Sequence, residues 1–326
     1  MLPHLPVVPR IDETVETFRV GLILTERCNA TCSHCWFSSG PERTARMEPD
    51  EALDYIDQAR EIPTVEWISF TGGEPFLLPE MLLKLVGHAS RKGLRTECVT
   101  NCFWATTEGT AEGLLGRLVD EGLDVIDISA DDFHQRHIPF DRVRNCYMAA
   151  RRLGLKVVIM CAVARSSRLR IGEVVRLLGD DGIRVLGSEA PTGETPSALG
   201  VETGFIPVGR GADIPEDEWL IGNGPLEGPC KLVLRDIAIA PSGKVLPCCS
   251  AAGLAQAAEV GNARSGLREL IEETTRRTLF KVLSTKGPLG LKRLLGPGRR
   301  KGYVNRCHLC YDVLTDPRLS RVLSQP

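Results

Sequence analysis

Three cysteines in the run Cys28-Asn29-Ala30-Thr31-Cys32-Ser33-His34-Cys35 are spaced C-x3-C-x2-C, directly after an apolar segment at 18–25. Thiolates at that spacing can hold three irons of a [4Fe–4S] cube and leave the fourth iron open to a ligand that is not protein. A closed electron-transfer cluster would use four cysteines, and structural zinc also wants four closed ligands. Zinc with His34 as its fourth ligand, or a set of inert buried cysteines, are the alternatives this spacing leaves open.

About forty residues on, the apolar stretch Trp67-Ile68-Ser69-Phe70 runs into Thr71-Gly72-Gly73-Glu74-Pro75. Paired glycines at a strand end let a ligand approach the backbone closely, and N–H groups left unpaired there can bind a carboxylate or an amine. Glu74 adds a negative charge for a cationic amine. Alone, the segment reads as readily as a β-turn.

Taken with the cysteine triplet, it resembles the radical S-adenosylmethionine (SAM) superfamily over residues 18–211. The resemblance implies that Cys28, Cys32 and Cys35 carry a [4Fe–4S] cluster whose open iron chelates the amino and carboxylate groups of SAM. It further implies that Gly72, Gly73, Glu74 and Pro75 hold the SAM amine. The residue before the third cysteine is usually aromatic in the family and packs near the adenine. Here it is His34, flat and able to stack, with a solvent-facing loop histidine as the alternative.

The chemistry so implied is one-electron reduction of SAM, breakage of its S–C5′ bond, and hydrogen abstraction by a 5′-deoxyadenosyl radical held in a dry cavity. The fate of the substrate radical after abstraction decides the product. An auxiliary cluster can take the second electron, giving oxidation of an alcohol or closure of a crosslink; a cysteine thiol can instead return hydrogen, giving epimerisation. Cys102, at a strand end, and Cys249 are the candidates for that thiol, with small core cysteines as the alternative for both. Cys98 and Cys161 read as core. For acid–base work the best-placed groups are Asp131, Asp132 and His134, with Glu189 a further choice.

These residues need a frame. β-Branched runs at 18–25, 65–71, 95–100, 124–130 and 156–164 alternate with amphipathic stretches at 49–61, 80–92, 107–121, 143–153 and 171–180. Gly93, Gly122, Gly154 and Gly182 each stand just before the next strand, as helix-ending glycines do. The pattern predicts a parallel sheet with helices outside. A sixth strand falls at either 183–187 or 204–209, the latter leading into Pro207-Val208-Gly209-Arg210-Gly211. The resemblance implies a partial (β/α)6 barrel, an α/β fold whose ligands bind at the carboxyl ends of the strands. It also implies SAM contacts from Asn101 and Ser129, at the ends of the third and fourth strands, and from Arg142. Their plainer readings are a turn former, a helix cap and a solvated charge.

After residue 215 the composition changes and a second cysteine set appears: Cys230, Cys248, Cys307 and Cys310. Alternation over 232–239, the turn Pro241-Ser242-Gly243 and a return over 244–246 predict a β-hairpin that brings Cys230 and Cys248 together. Cys307 and Cys310 share one turn. The set resembles the twitch domain, a shorter relative of the SPASM domain, and implies one auxiliary [4Fe–4S] cluster; four-cysteine zinc is the rival. Cys249 could exchange with Cys248 as ligand. The expected organisation is an extension at 1–17, the barrel at 18–215, and a small α+β twitch-like domain at 216–326. Residues 276–302 carry nine lysines and arginines and no acidic residue, reading as a solvated loop or as a docking surface for an acidic partner.

The 326 residues carry a net charge of −2, so no basic excess points to nucleic acid. No apolar run reaches the ~18 residues of a membrane span, and the proline-rich start is not a secretory signal. Twelve cysteines without such a signal predict a reducing cytoplasm. The function expected is a radical SAM enzyme acting on a ribosomally made peptide, served by a reductant such as flavodoxin or ferredoxin. A small-molecule alcohol dehydrogenase is the alternative, and an iron–sulfur electron carrier or a zinc module is the alternative from another class. The short extension at 1–17 leaves little for binding a peptide leader, which weighs against the peptide.

Overall fold

The computed structural model describes residues 16–187, 196–222, 224–296 and 302–323. The first two-thirds of the chain alternates strand and helix in the predicted order. It runs β1 (Arg19–Thr25), α1 (Pro49–Arg60), β2 (Trp67–Gly72), α2 (Pro79–Arg91), β3 (Arg95–Thr100), α3 (Glu108–Glu121) and β4 (Val125–Ser129). Next come α4 (Asp132–Gln135), α5 (Phe140–Arg152), β5 (Lys156–Val163), α6 (Ile171–Leu178), β6 (Arg184–Val185) and β7 (Ala198–Gly204). The strands are buried on both faces, as near-continuous apolar runs must be in a parallel sheet. α1 to α3 cover the outer face with Ile56, Leu82, Leu85 and Leu115, all fully buried, each such side chain contributing about 1.5–3 kcal/mol.

Strands β1, β2, β3, β4, β5 and β7 lie side by side and parallel, the six-strand core of an α/β barrel fold. The sixth strand is therefore residues 198–204, ahead of the predicted 204–209. The other alternative holds only the two-residue β6, on the outer edge of β7. Gly200 hid it: the Ile171 side chain packs where its Cβ would stand, 2.8 Å away, so the strand carries a gap in its apolar pattern. Helix α6 likewise ends at the left-handed Gly179, three residues before the expected Gly182.

The C-terminal segment adds β8 (Asp236–Ile239), β9 (Lys244–Leu246), β10 (Gly261–Asn262), α7 (Leu267–Thr275), α8 (Thr278–Leu295), α9 (Arg306–Leu314) and α10 (Leu319–Leu323). β8 pairs parallel with β1, Arg19 opposite Asp236, so the hairpin extends the same sheet on the side away from β2. The hairpin forms as expected, but its first strand starts only at Asp236. Leu234 sits at φ 57° and Asp236 N–H bonds Leu232 O, making a turn of the preceding residues.

Residues 278–295 of the basic stretch form α8, broken at Gly287. Several of its charges are engaged within the protein: Arg277 on Glu259 O, Arg293 on Glu227 and Lys292 near Asp312. Glu189 lies outside the described residues. Among the described residues no helix is long and apolar enough to cross a membrane.

Candidate functional site

The loop after β1 carries the cysteine triplet at the carboxyl end of the parallel strands. Cys28 N–H bonds Gly40 O at 3.1 Å, tying the start of the loop to a later segment, and Cys35 N–H bonds Cys32 O at 3.1 Å in a tight turn. All three line a cavity of about 360 Å³ that opens into the barrel. Burial pushes Cys28 up to about 11 and Cys32 up to about 12, so metal binding there must release protons.

Arg210, which sequence reading passed over, grips this loop. Its N–H bonds Cys35 O and its Nε bonds Cys32 O at 3.0 Å, and its charge favours the thiolates of Cys28 and Cys32. The only signal was its place in the Gly-Arg-Gly run after the sixth strand.

The Gly-Gly-Glu-Pro segment departs from expectation in one respect. Its N–H groups are not left for a ligand: Gly73 N–H bonds Thr25 O at 2.7 Å and Glu74 N–H bonds Arg27 O at 2.9 Å. A Cβ on Gly72 would stand 2.4 Å from Thr25 O, and one on Gly73 2.1 Å from Arg27 O. The glycines are thus required for the end of β2 to press against the cluster loop.

Glu74, buried beside the cavity, accepts from Phe76 N–H at 3.1 Å, the Thr100 hydroxyl at 2.9 Å and Asn101 N–H at 2.8 Å. Burial outweighs these donors and raises its carboxyl to about 7, so a cationic group alongside would be held strongly. Pro75 starts the short helical turn that Glu74 caps. Asn101 donates to Asn29 Oδ1 at 2.9 Å, with Cys28 Sγ 3.7 Å away, tying β3 to the cluster loop.

His34 also lines the cavity and stacks on Phe133, ring centroids 4.5 Å apart. Burial lowers it to about 3, so it is neutral, and its buried Nδ1 has no partner among the described residues. A flat neutral ring with an unused nitrogen at the cluster end fits a heteroaromatic ligand. Ser129 and His134 line the same cavity.

Asp131 accepts from Phe133 N–H, His134 N–H, Ala162 N–H and His134 Nδ1. Burial alone would raise its pKa, but His134 outweighs it and brings Asp131 to about 2. His134 is correspondingly raised, Asp131 overcoming the effect of its burial. Although ligand atoms of His34, Asp131 and His134 lie within 4.8 Å of one another, the Asp131 carboxylate is already committed to these donors. It orients His134, and His134 is the member of the pair that faces the cavity.

Three expectations are corrected. Cys102 is fully buried in the core, its thiol beside Cys146, and does not line the cavity, so it has no route to a substrate. Its φ of 65° shows why glycine would suit that position. Arg142 is spent on Phe103 O, away from the cavity. Asp132 accepts from Arg168 and Leu169 N–H groups and holds a loop.

In the second cysteine set, burial and the nearby thiols of Cys307, Cys310 and Cys230 push Cys248 up, and Cys230 and Cys307 act likewise on Cys310. The hairpin end, Cys230 N–H on Leu283 O, and α9 capped by Asn305 hold the four together. Cys248 and Cys249 both border the cavity that the triplet lines, Cys249 being the more exposed of the two. Burial and Asp236 raise the Cys249 thiol to about 12.

Below Cys249 a charged floor crosses the barrel, unforeseen from sequence. Arg19 donates to Asp236 at 2.8 and 2.5 Å and to Glu97 at 2.7 Å. Asp127 completes the layer, its carboxyl pushed well up by burial and then by Glu97. The available signal was a charged residue at an inward position of each otherwise apolar strand.

The sequence matches the radical SAM superfamily over residues 22–178. The chain is 25% identical over 268 residues to YydG of Bacillus subtilis (strain 168), named as a peptide biosynthesis protein, covering 81% of this chain and 77% of YydG. It is 36% identical over 146 residues to GTP 3′,8-cyclase 2 of Mycobacterium tuberculosis, covering 40% of this chain and 37% of that protein. Among solved structures, Streptococcus suis SuiB bound to S-adenosylmethionine superposes with a TM-score of 0.54 at 15% identity, covering 82% of this chain and 67% of SuiB. That likeness speaks for the fold. The superfamily's signature thus lies on the strands whose carboxyl ends carry the triplet and the Gly-Gly-Glu-Pro turn, and the chain carries a radical SAM superfamily domain over residues 22–178.

Proposed function

We propose that this radical SAM enzyme epimerises a residue of a ribosomally made peptide, with Cys249 as the hydrogen donor. The observation that carries the reading is the Cys249 thiol in the wall of the cavity that the Cys28–Cys32–Cys35 triplet also lines. SAM bound at a reduced cluster supplies a 5′-deoxyadenosyl radical that removes hydrogen from the substrate. The protein then has to return hydrogen, and only an S–H, not a thiolate, can do so; burial and Asp236 keep Cys249 in that form. Each turnover consumes one SAM, two electrons and one proton, the second electron and the proton restoring the thiol after it has given up its hydrogen.

Cys28, Cys32 and Cys35 hold the SAM-binding cluster in this reading, with Gly72, Gly73, Glu74, Pro75, Asn101, Ser129 and His34 around SAM. Glu74 faces its ammonium and His34 its adenine, while Arg210 positions the loop. Cys230, Cys248, Cys307 and Cys310 hold an auxiliary [4Fe–4S] cluster in a twitch-like domain at 216–326, following the barrel at 18–215. His134, oriented by Asp131, serves as the proton-exchanging group at the SAM end of the cavity. The enzyme works in the cytoplasm with flavodoxin or ferredoxin as reductant. The YydG match supports the peptide, since it spans 81% of this chain where the nucleotide cyclase match spans 40%. An alcohol-oxidising enzyme would need no thiol in the cavity.

The test is turnover in deuterated water with short peptides encoded beside the gene, SAM and dithionite. The wild type should give 5′-deoxyadenosine and a peptide with one carbon-bound deuterium and one inverted centre. Cys249→Ala should give 5′-deoxyadenosine without the inverted peptide. Inversion that survives Cys249→Ala would overturn the assignment.

A further inference from the structure

Two buried groups beside the second cysteine set, Ser250 Oγ and Arg306 Nε, have no hydrogen-bond partner among the described residues. Ser250 lies two residues beyond Cys248 and is 8% exposed. It occupies the N-cap of the helical turn Ala251–Leu254, where a serine hydroxyl ordinarily accepts a backbone N–H, yet its side chain makes no cap bond. Arg306 immediately precedes Cys307 in α9. Its Nη1 donates to Pro229 O at 2.8 Å and its Nη2 to Glu227 O, in the segment leading into Cys230. Those two bonds hold the segment in place and leave Nε over.

A buried donor without an acceptor is expensive, and both of these act on one thiol. Burial raises Cys307, and against it the Ser250 hydroxyl and the Arg306 charge each favour the thiolate. The turn that carries Ser250 packs on α9, which carries Cys307 and Cys310, so both donors belong to the walls of the four-cysteine site. A thiolate or a cluster sulfide only accepts, and a hydroxyl and a guanidinium N–H can both donate. The orphaned pair therefore fits an anionic sulfur group and has no other use in the fold. We infer that Ser250, through its hydroxyl, and Arg306, through Nε–H, donate to sulfur at the Cys307 corner of the auxiliary cluster and raise its reduction potential. The physical reason is that a reduced cluster carries one more negative charge, and hydrogen bonds to its sulfurs strengthen with that charge. Partners of this kind, one step behind the ligands, tune a metal site as much as the ligands do. Three consecutive residues, Cys248, Cys249 and Ser250, then have three separate tasks: ligand, hydrogen donor to the substrate, and hydrogen-bond donor to the cluster.

The inference rests on the auxiliary-cluster reading, so its test counts iron before it measures potential. Anaerobically reconstituted holoenzyme is poised with dithionite and mediators, with and without SAM, and the reduced clusters are followed by EPR. The signal that SAM leaves unchanged belongs to the auxiliary cluster. Ser250→Ala should keep about eight irons and its SAM affinity, and should move the auxiliary potential to more negative values. The expected shift is about fivefold in the ratio of reduced to oxidised cluster at a fixed potential, about 40 mV for one electron. Ser250→Thr, which keeps the hydroxyl, should restore the wild-type value. Arg306→Lys, which keeps a cation but loses Nε–H, should shift the potential the same way. Since Arg306 also holds the segment before Cys230, Ser250→Ala decides the matter if that variant loses iron. An unchanged potential in Ser250→Ala with its iron intact would overturn the inference. A wild type holding only about four irons would remove the auxiliary cluster itself, and the inference with it.

Discussion

Replacing Arg19 by methionine tests whether the barrel floor is held by its ion pairs. The guanidinium is 6% exposed and makes three hydrogen bonds, two to Asp236 and one to Glu97. Methionine keeps the length of the stem but strands two buried carboxylates beside Asp127. Breaking a buried pair by removing one partner costs about 3–5 kcal/mol. For a chain of 326 residues, an unfolding entropy of ~2.1 cal/mol/K per residue gives ~0.7 kcal/mol/K, so the expected fall in melting temperature is about 4–7 °C. The assay is anaerobic differential scanning calorimetry of cluster-loaded protein, with a rescan to establish that unfolding is reversible, as the equilibrium relation requires. The triple variant Arg19→Met, Glu97→Gln, Asp236→Asn removes the stranded charges and should recover most of the loss. A single variant within about 1 °C of wild type, or a triple variant no better than the single, would refute the reasoning.

The site yields two further expected outcomes. Gly73→Ala places a methyl where Arg27 O stands at 2.1 Å; parting the strands breaks the bonds from Gly73 and Glu74 N–H, each worth about 0.5–1.5 kcal/mol net. SAM affinity measured by equilibrium dialysis should fall on the order of tenfold or more, and unchanged affinity would deny the close-packed role. His134 should titrate above ~6.5 in 15N-edited spectra, because Asp131 outweighs its burial, and Asp131→Asn should bring it down. The raised His134 therefore contributes stability that is complete below ~6.5 and is lost as pH rises through its folded value. Asp131, held at about 2, contributes stability present above ~3.9 and lost as pH falls towards about 2.

Legibility of the fold and site in the sequence divides along physical lines. The cysteine triplet stood out because three thiols in eight residues have few other uses, and five strands were legible because a parallel sheet buries both faces. The sixth was obscured where Gly200 yields its space to Ile171. Arg19 was illegible because its partner Asp236 lies 217 residues away, and a lone charge in an apolar strand has no meaning without its partner. The Gly-Gly pair was recognised, but for an unpaired backbone that is in fact bonded to Thr25 and Arg27. Cys102 and Cys249 looked alike as spare cysteines. Only the backbone turn, φ 65° at Cys102, and the fold of the hairpin decide that one faces the core and the other the cavity.

The neighbours Cys248 and Cys249, both bordering the cavity, offer the most direct measurement of all. Iron would be counted in anaerobically reconstituted wild type, Cys248→Ala and Cys249→Ala, with 5′-deoxyadenosine measured after SAM and dithionite. Two cubes give about eight irons for the wild type. If Cys248 is the cluster ligand and Cys249 the hydrogen donor, Cys248→Ala should keep about four irons and Cys249→Ala about eight, with 5′-deoxyadenosine still formed by the latter. Loss of about four irons from Cys249→Ala, with Cys248→Ala left intact, would reverse the two roles and contradict the assignment.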